Sequence, residues 1–331
     1  MNNKKCIGIF SLLILMLLAS FAVASLAGGS ELKAEKAVYY LFHPNGSGIE
    51  RDIIWKIRLP RVILGMLVGA GLACCGAVFQ GLLRNPLAEP YTLGVSGGAA
   101  LGVSLGVMFG ISGVYIPVFA FCGSALSILL VYGIACRKRF SNPTLILGGV
   151  IMSFLFSSLV FFIFSVSRAE DVHGIILWLM GDLSSTSAPL IKIVSFFILP
   201  AIGLLFFFSR DINILTLGDE KAFHLGVNSK QVKKIIFIIA SFITGACVAA
   251  SGIIGFVGLI VPHFMRKIVG VNHRLLLPAS VLAGAIFLVL CDAAARVIIR
   301  PLELPVGVIT GILGGVFFLS FLLKVKHWDI F

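Results

Sequence analysis

Few residues in this 331-residue chain are equipped for chemistry, and their spacing limits what that chemistry can be. Asp292 lies inside a long apolar run with Arg296 four positions on, a spacing that puts both on one helix face and lowers the cost of an acid at depth. Ion pairing is the plain use of such an acid and proton carriage the sharper one. His263 follows Pro262 and has the donor for a metal or haem, but a lone histidine near an interface is more often a hydrogen-bonded structural residue. His43, His173, His224, His273 and His327 also lack ligand spacing. Cysteines 6, 74, 75, 122, 136, 247 and 291 lie in or beside apolar runs with no CxxC pair, as small core residues do. No HExxH, paired acids or Ser/His set occurs, so no catalytic residue and no metal site are assigned. With no GxxxxGK[ST] loop, any nucleotide-driven work falls to another polypeptide.

The most informative polar residues stand together in RNPLAEP (84–90), between a glycine-laced apolar helix and more glycine-rich apolar chain. An unpaired backbone group in lipid costs several kcal/mol, so this twice-proline knot must lie at an interface, in protein, or along a water-filled path. A broken helix lining a path suggests a transporter.

The elements that position these residues are apolar almost throughout. The chain is 59% hydrophobic, with a mean hydropathy of +1.09 and only 12% charged residues, against about 25% in soluble domains. It reads as an all-α integral membrane protein and as one transmembrane domain over residues 1–331. A net charge of +12 raises nucleic acid as a partner, but the basic residues are scattered in short loops, which argues for a bilayer instead. If Lys4 and Lys5 are cytoplasmic, most of the other lysines and arginines also fall inside. These include Arg84, Arg137 to Arg139, Arg210, Lys233, Lys324 and Lys326.

Periodicity and length predict helices near 6–27, 60–82, 91–110, 114–136, 143–166, 189–208, 235–252, 257–267, 275–299 and 306–323. That is ten crossings with both termini inside. The first, although it starts like a signal peptide, is too long for one and is read as retained. The eighth is too short to span and reads as a half-helix. Sliding the chain by 176 positions matches Gly69 to Gly245, Gly76 to Gly252 and Pro86 to Pro262. A slide of 166 matches 146–150 to 312–316. Repeat halves of about 60–166 and 235–323 follow, inverted across the membrane because five crossings separate the copies.

Residues 209–234 form the longest polar interval on the expected inner side. Within it Gly218, Asp219 and Glu220 can start a short helix and Leu225 and Gly226 can end it. Ala222, Phe223 and Leu225 would then be small and apolar knobs for a partner's groove, so the segment reads as a docking surface.

RLPR (58–61), RNPLAEP (84–90), LGVSGG (93–98), LWLMG (177–181), GDEKAFHLG (218–226), GFVGLIVPHFMR (255–266) and ELPVG (303–307) together resemble the permease subunits of type II ABC importers. These carry iron–siderophores, haem or cobalamin. The resemblance covers nearly the whole chain and is weakest before residue 50. It implies the type II ABC importer permease fold and a homodimer with two ATP-binding ABC subunits. It also implies a periplasmic or lipid-anchored substrate-binding protein, in a bacterial or archaeal cytoplasmic membrane. No cofactor is expected of this chain itself, ATP being bound by the partner. By the same resemblance 218–226 is the helix coupled to the ATPase, and Asn85 and Leu87 form the cytoplasmic gate. Arg58, Arg61 and Arg296 match the arginines that dock the binding protein, and Arg300 lies four residues beyond Arg296.

The resulting expectation is a permease that moves an iron chelate inward, ferric siderophore by default, with haem and cobalamin as alternatives. A secondary transporter is the rival, but only Asp292 and Glu89 could serve it as midplane acids. An intramembrane enzyme lacks its constellation.

Overall fold

Polar and glycine- or proline-containing stretches cut the apolar chain into fifteen α-helices in a computed structural model that describes residues 3–28, 34–44, 48–138 and 140–324. Arg139, Lys326 and His327 lie outside the described residues. The helices are α1 (Asn3–Leu26), α2 (Ala34–Phe42), α3 (Ile49–Asp52) and α4 (Leu59–Leu83), the last reached through π-helical turns at Ile53–Arg58. There follow α5 (Val95–Met108), α6 (Ile116–Arg137), α7 (Asn142–Val166), α8 (Ala169–Leu179), α9 (Ala188–Phe207), α10 (Ser209–Thr216) and α11 (Asp219–His224). The last described elements are α12 (Ser229–Ser251), α13 (Val257–Val269), α14 (His273–Ala295) and α15 (Val306–Lys324).

Among the described residues seven spans are long and apolar enough to cross a membrane, and α5 and α15 are shorter apolar helices. With α13 these match the ten segments expected. The 13 residues of α13 rise only about 20 Å at 1.5 Å each, short of a hydrocarbon core of about 30 Å. Four helices, α2, α3, α8 and α10, fall where loops were expected. In α8, Glu170 and Asp171 favour the first turn through the helix dipole, and α10 is amphipathic, burying Ile212 and Leu215.

The centre of the bundle is α4, most of whose residues are buried. It packs against α14, α12 and α13. These crossings are close because both sides lack side chains: a Cβ on Gly76 would run into the Gly258 carbonyl, and one on Gly69 into the Gly284 carbonyl. By contrast α1 leaves most of its surface uncovered.

The packing partners are exchanged between the halves. As α4 packs on α14 and α13, α12 packs on α6 and α5; as α7 packs on α5, α15 packs on α13. Gly69 faces α14, and its sequence match Gly245 faces Ser124 on α6. Gly149 on α7 seats against Thr92 and Leu93, just before α5, and on α15 it is Gly314, one residue before the Gly315 that the slide of 166 pairs with Gly149, that seats against Phe256, just before α13. Pro86 and Pro262 break the correspondence. The first lies in the turn after α4, the second inside α13, because the chain between α12 and α13 is shorter than that between α4 and α5.

Candidate functional site

The polar knot after α4 is built from its own backbone outward. Arg84 ends α4 in the left-handed conformation (φ 49°), its amide and that of Asn85 closing on the Gly81 and Gln80 carbonyls. The Asn85 side chain then accepts from Leu87 N at 2.9 Å, a local turn that leaves Leu87 43% exposed. Asn85 and Leu87, the expected gate, therefore stand side by side on an exposed turn.

The rest of the knot reaches across the molecule. Phe256 N donates to Glu89 Oε1 at 2.6 Å, and Ile254 N donates to the Tyr91 hydroxyl at 3.2 Å. Glu89 and Tyr91 thus satisfy backbone of the break between α12 and α13, where Phe256 itself is left-handed (φ 69°). Pro90 packs on Gly258. The two breaks in the bundle are consequently one joint.

Near the knot lies α11. Gly218 (φ 113°) precedes it and Gly226 (φ 79°) follows it, with Val227 N donating back to the Ala222 carbonyl at 2.9 Å. Phe223 and Leu225 are 75% and 58% exposed, and Glu220 is also exposed. The expectation for Ala222 needs correction: it is fully buried against its own chain, because its turn faces the bundle. Leu217, not foreseen, is 54% exposed beside the same helix.

Asp219 is held rather than presented. Lys233 Nζ, on α12 and almost fully buried, contacts the two carboxylate oxygens of Asp219 at 2.7 and 2.9 Å. Lys233 also donates to Asn142 Oδ1 at 3.2 Å, and Asn142 Nδ2 donates to the Leu82 carbonyl at the end of α4, also at 3.2 Å. Arg84 Nη2 lies 3.9 Å from Asp219. Charge counting places Lys233 in a cytoplasmic loop, but burial makes it an internal tie.

At the opposite end of α4 the expected docking arginines are mostly turned inward. Arg58, Arg61 and Arg296 are each no more than 3% exposed. Arg58 donates to the carbonyls of Leu26 (2.6 Å) and Ser25 (3.4 Å), and Arg296 to those of Ala27 (2.8 Å) and Ala24 (3.0 Å). Two guanidiniums thereby cap the last three carbonyls of α1 and that of Ala27 just beyond it, groups that have no partner inside the helix and carry its negative dipole end. Arg61 Nε donates to Asp292 Oδ1 at 2.9 Å and Arg61 Nη1 to Glu303 Oε2 at 2.5 Å, while Arg296 Nε lies 3.1 Å from Asp292 Oδ2. The expected Asp292–Arg296 pair is present, with Arg61 added to it. Spacing also puts Arg296 and Arg300 on one helix face. However, α14 ends at Ala295, and Arg300 sits exposed in the turn beyond.

Glu303, within the ELPVG motif, lines two cavities. One, of about 170 Å³, is bordered by Gly28, Arg58, Arg61 and Arg296. The other, about 870 Å³, is bordered by the start of α6, Leu177 and Trp178 of α8, Asp182 and the end of α12. Its volume lies in the range of small-molecule sites. His263 is buried beside the rings of Phe317 and Phe318. Among the described residues no three His, Cys, Asp or Glu side chains gather as metal ligands.

The site as a whole is a helical bundle with short elements joined at paired breaks and a capped helix with apolar residues exposed at one end. Residues 12–324 match the FecCD transport family, and the chain belongs to that family. It is 40% identical over 304 residues to the ABC transporter permease protein YvrB of Bacillus subtilis (strain 168), covering 87% of this chain and 86% of that one. It is 38% identical over 284 residues to the hemin transport system permease protein HmuU of Yersinia pestis, covering 83% and 84%. A solved structure titled as an inward-facing metal-chelate type ABC transporter superposes with a TM-score of 0.86 at 32% identity, over 98% of this chain and all of that one. Other relatives are named for Fe(3+)-citrate, cobalamin and molybdate import.

Proposed function

We propose that this chain is the translocating subunit of an ATP-driven importer of iron chelates, working as a homodimer on two ATP-hydrolysing subunits and fed by an external binding protein. The observation that carries the ATPase partner is α11: a capped helix at the knot end, with Phe223 and Leu225 exposed and Asp219 tied to the bundle. Apolar side chains held rigidly at a surface are what a partner's groove requires. The knot end is then cytoplasmic, both termini lie on that side of the cytoplasmic membrane, and Asn85 and Leu87 of two copies close the inner exit.

At the other end Arg300 is the exposed arginine for a binding-protein carboxylate. Arg58, Arg61 and Arg296 shape the cleft behind it. The larger cavity beside Trp178 and Glu303 is the outer vestibule. Asp292, held between two guanidiniums, is poorly placed to carry protons, which disfavours a secondary transporter. Ferric siderophore is the proposed cargo, and the relatives named for hemin and cobalamin supply the alternatives.

Copurification with the cognate ATPase tests the reading. Replacing 218–226 with a glycine–serine segment should abolish both ATPase binding and ATP-dependent uptake of labelled ferric siderophore into proteoliposomes. Binding and uptake that survive the replacement would refute it. Parallel uptake of haem and cobalamin identifies the cargo.

A further inference from the structure

Five side chains and backbone groups at the knot end close a ring. Asp219 opens α11; Lys233 joins it to α12; Asn142 joins Lys233 to the start of α7 and to the Leu82 carbonyl of α4. Two residues on from Leu82, Arg84 leans back to Asp219. The ring spans four elements whose members lie up to 151 positions apart in the chain, from Leu82 to Lys233.

Its parts differ in exposure. The Lys233 side chain is 3% exposed, whereas those of Asp219 and Arg84 are 53% and 40% exposed. The buried lysine cannot be left without a partner cheaply, because an unpaired buried charge costs several kcal/mol. Asp219 therefore cannot leave Lys233 freely when α11 is pushed. Arg84 lies one residue before Asn85, in a left-handed conformation that fixes where the gate turn begins. Displacement of α11 must then either rotate that turn or break the ring.

We propose that Lys233 and Asp219 are positioning residues that make the ATPase-facing helix and the 84–90 knot move as one body, so that the ring converts displacement of α11 into opening or closing at Asn85 and Leu87. This rests on the coupling role given to α11 above. Ion pairs between packed elements with two discrete arrangements are a physical route for such coupling.

The test measures cargo imported per ATP hydrolysed by the full complex in proteoliposomes, for the parent chain and for Lys233→Gln, Asp219→Asn, Lys233→Arg and Arg84→Gln. Lys233→Gln should keep the ATPase subunit bound and hydrolysing while cargo per ATP falls roughly three- to thirtyfold, and Asp219→Asn, within the docking helix itself, should lower the ratio in the same direction. Lys233→Arg, which retains the charge, should restore most of the ratio. Arg84→Gln alters the exposed side of the ring, where folding is least at risk, and should lower the ratio in the same direction. An unchanged ratio in Arg84→Gln and in whichever of the two charge-removing variants assembles would overturn the proposal. So would equal losses in Lys233→Gln and Lys233→Arg. Failure of the parent chain to bind an ATPase would instead refute the coupling reading itself.

Discussion

Arg61 and Asp292 form an ion pair of 2.9 Å in which each side chain is no more than 4% exposed. The pair joins the first turn of α4 to the last turn of α14, and Arg296 approaches the second oxygen of the same carboxylate. Asp292 thus bridges two buried guanidiniums, and Glu303 pairs with Arg61 from the other side.

Replacing Asp292 by alanine leaves Arg61 with Glu303 alone and Arg296 with only the carbonyls at the end of α1. Breaking a buried pair from one side costs about 3–5 kcal/mol. We expect Asp292→Ala to lower sharply the yield of monodisperse protein and its thermal midpoint in detergent. A midpoint equal to that of the parent would show that the pair is not holding α4 to α14.

The cap on α1 predicts a local effect. Arg58→Met should release the Leu26 and Ser25 carbonyls, a loss of about 1.5–3 kcal/mol for hydrogen bonds made by a charged donor. Hydrogen exchange followed by mass spectrometry should accelerate in the peptide covering 20–28 and remain slow in the middle of α4. Equal acceleration in both would point to global loosening instead.

Helix crossings without side chains cannot tolerate bulk. Gly76→Val drives a branched side chain into the Gly258 carbonyl, and overpacking costs about 1–3 kcal/mol even where neighbours yield. Backbone cannot yield as a side chain does, so folded protein should be largely lost. Gly203→Ala, which meets nothing within 4 Å, should behave as the parent. Similar yields of the two variants would contradict the crossing.

Glu89 offers a separate handle on the joint between the two breaks. Glu89→Ala removes the acceptor for Phe256 N and leaves that amide without its partner. ATP-dependent uptake should fall about tenfold, in line with losing roughly 1.5 kcal/mol of charge-assisted bonding. ATPase binding should not change. Loss of both activities together would place the joint in folding rather than in transport.

Much of the fold was legible because lipid asks only for apolarity. In α7, Phe154 and Phe161 are 73% and 67% exposed, and their hydropathy alone marks the helix. The cap of α11 was legible for a local reason: glycines at 218 and 226 adopt the positive φ that ends helices. The inward turn of the arginines was not. Arg296 reaches carbonyls 269 and 272 positions away, and spacing within RLPR or around residue 296 carries no trace of them. Backbone acceptors have no sequence signature, so an arginine meant for a helix end and one meant for a partner look alike. Lys233 deceived in the same way: its charge counts as a loop residue, while its 3.2 Å bond to Asn142 depends on a helix 91 positions back.

The clamp on α1 has a practical consequence. This helix leaves most of its surface uncovered, and its C-terminal end is fixed by guanidinium hydrogen bonds around a cleft of about 170 Å³. Sulfate and carboxylate headgroups bind guanidinium more strongly than carbonyls do. Anionic detergents should therefore unfasten α1 from an otherwise intact bundle, while maltoside or zwitterionic ones leave it in place. Solubilisation chemistry thus decides whether the first helix stays seated on α14.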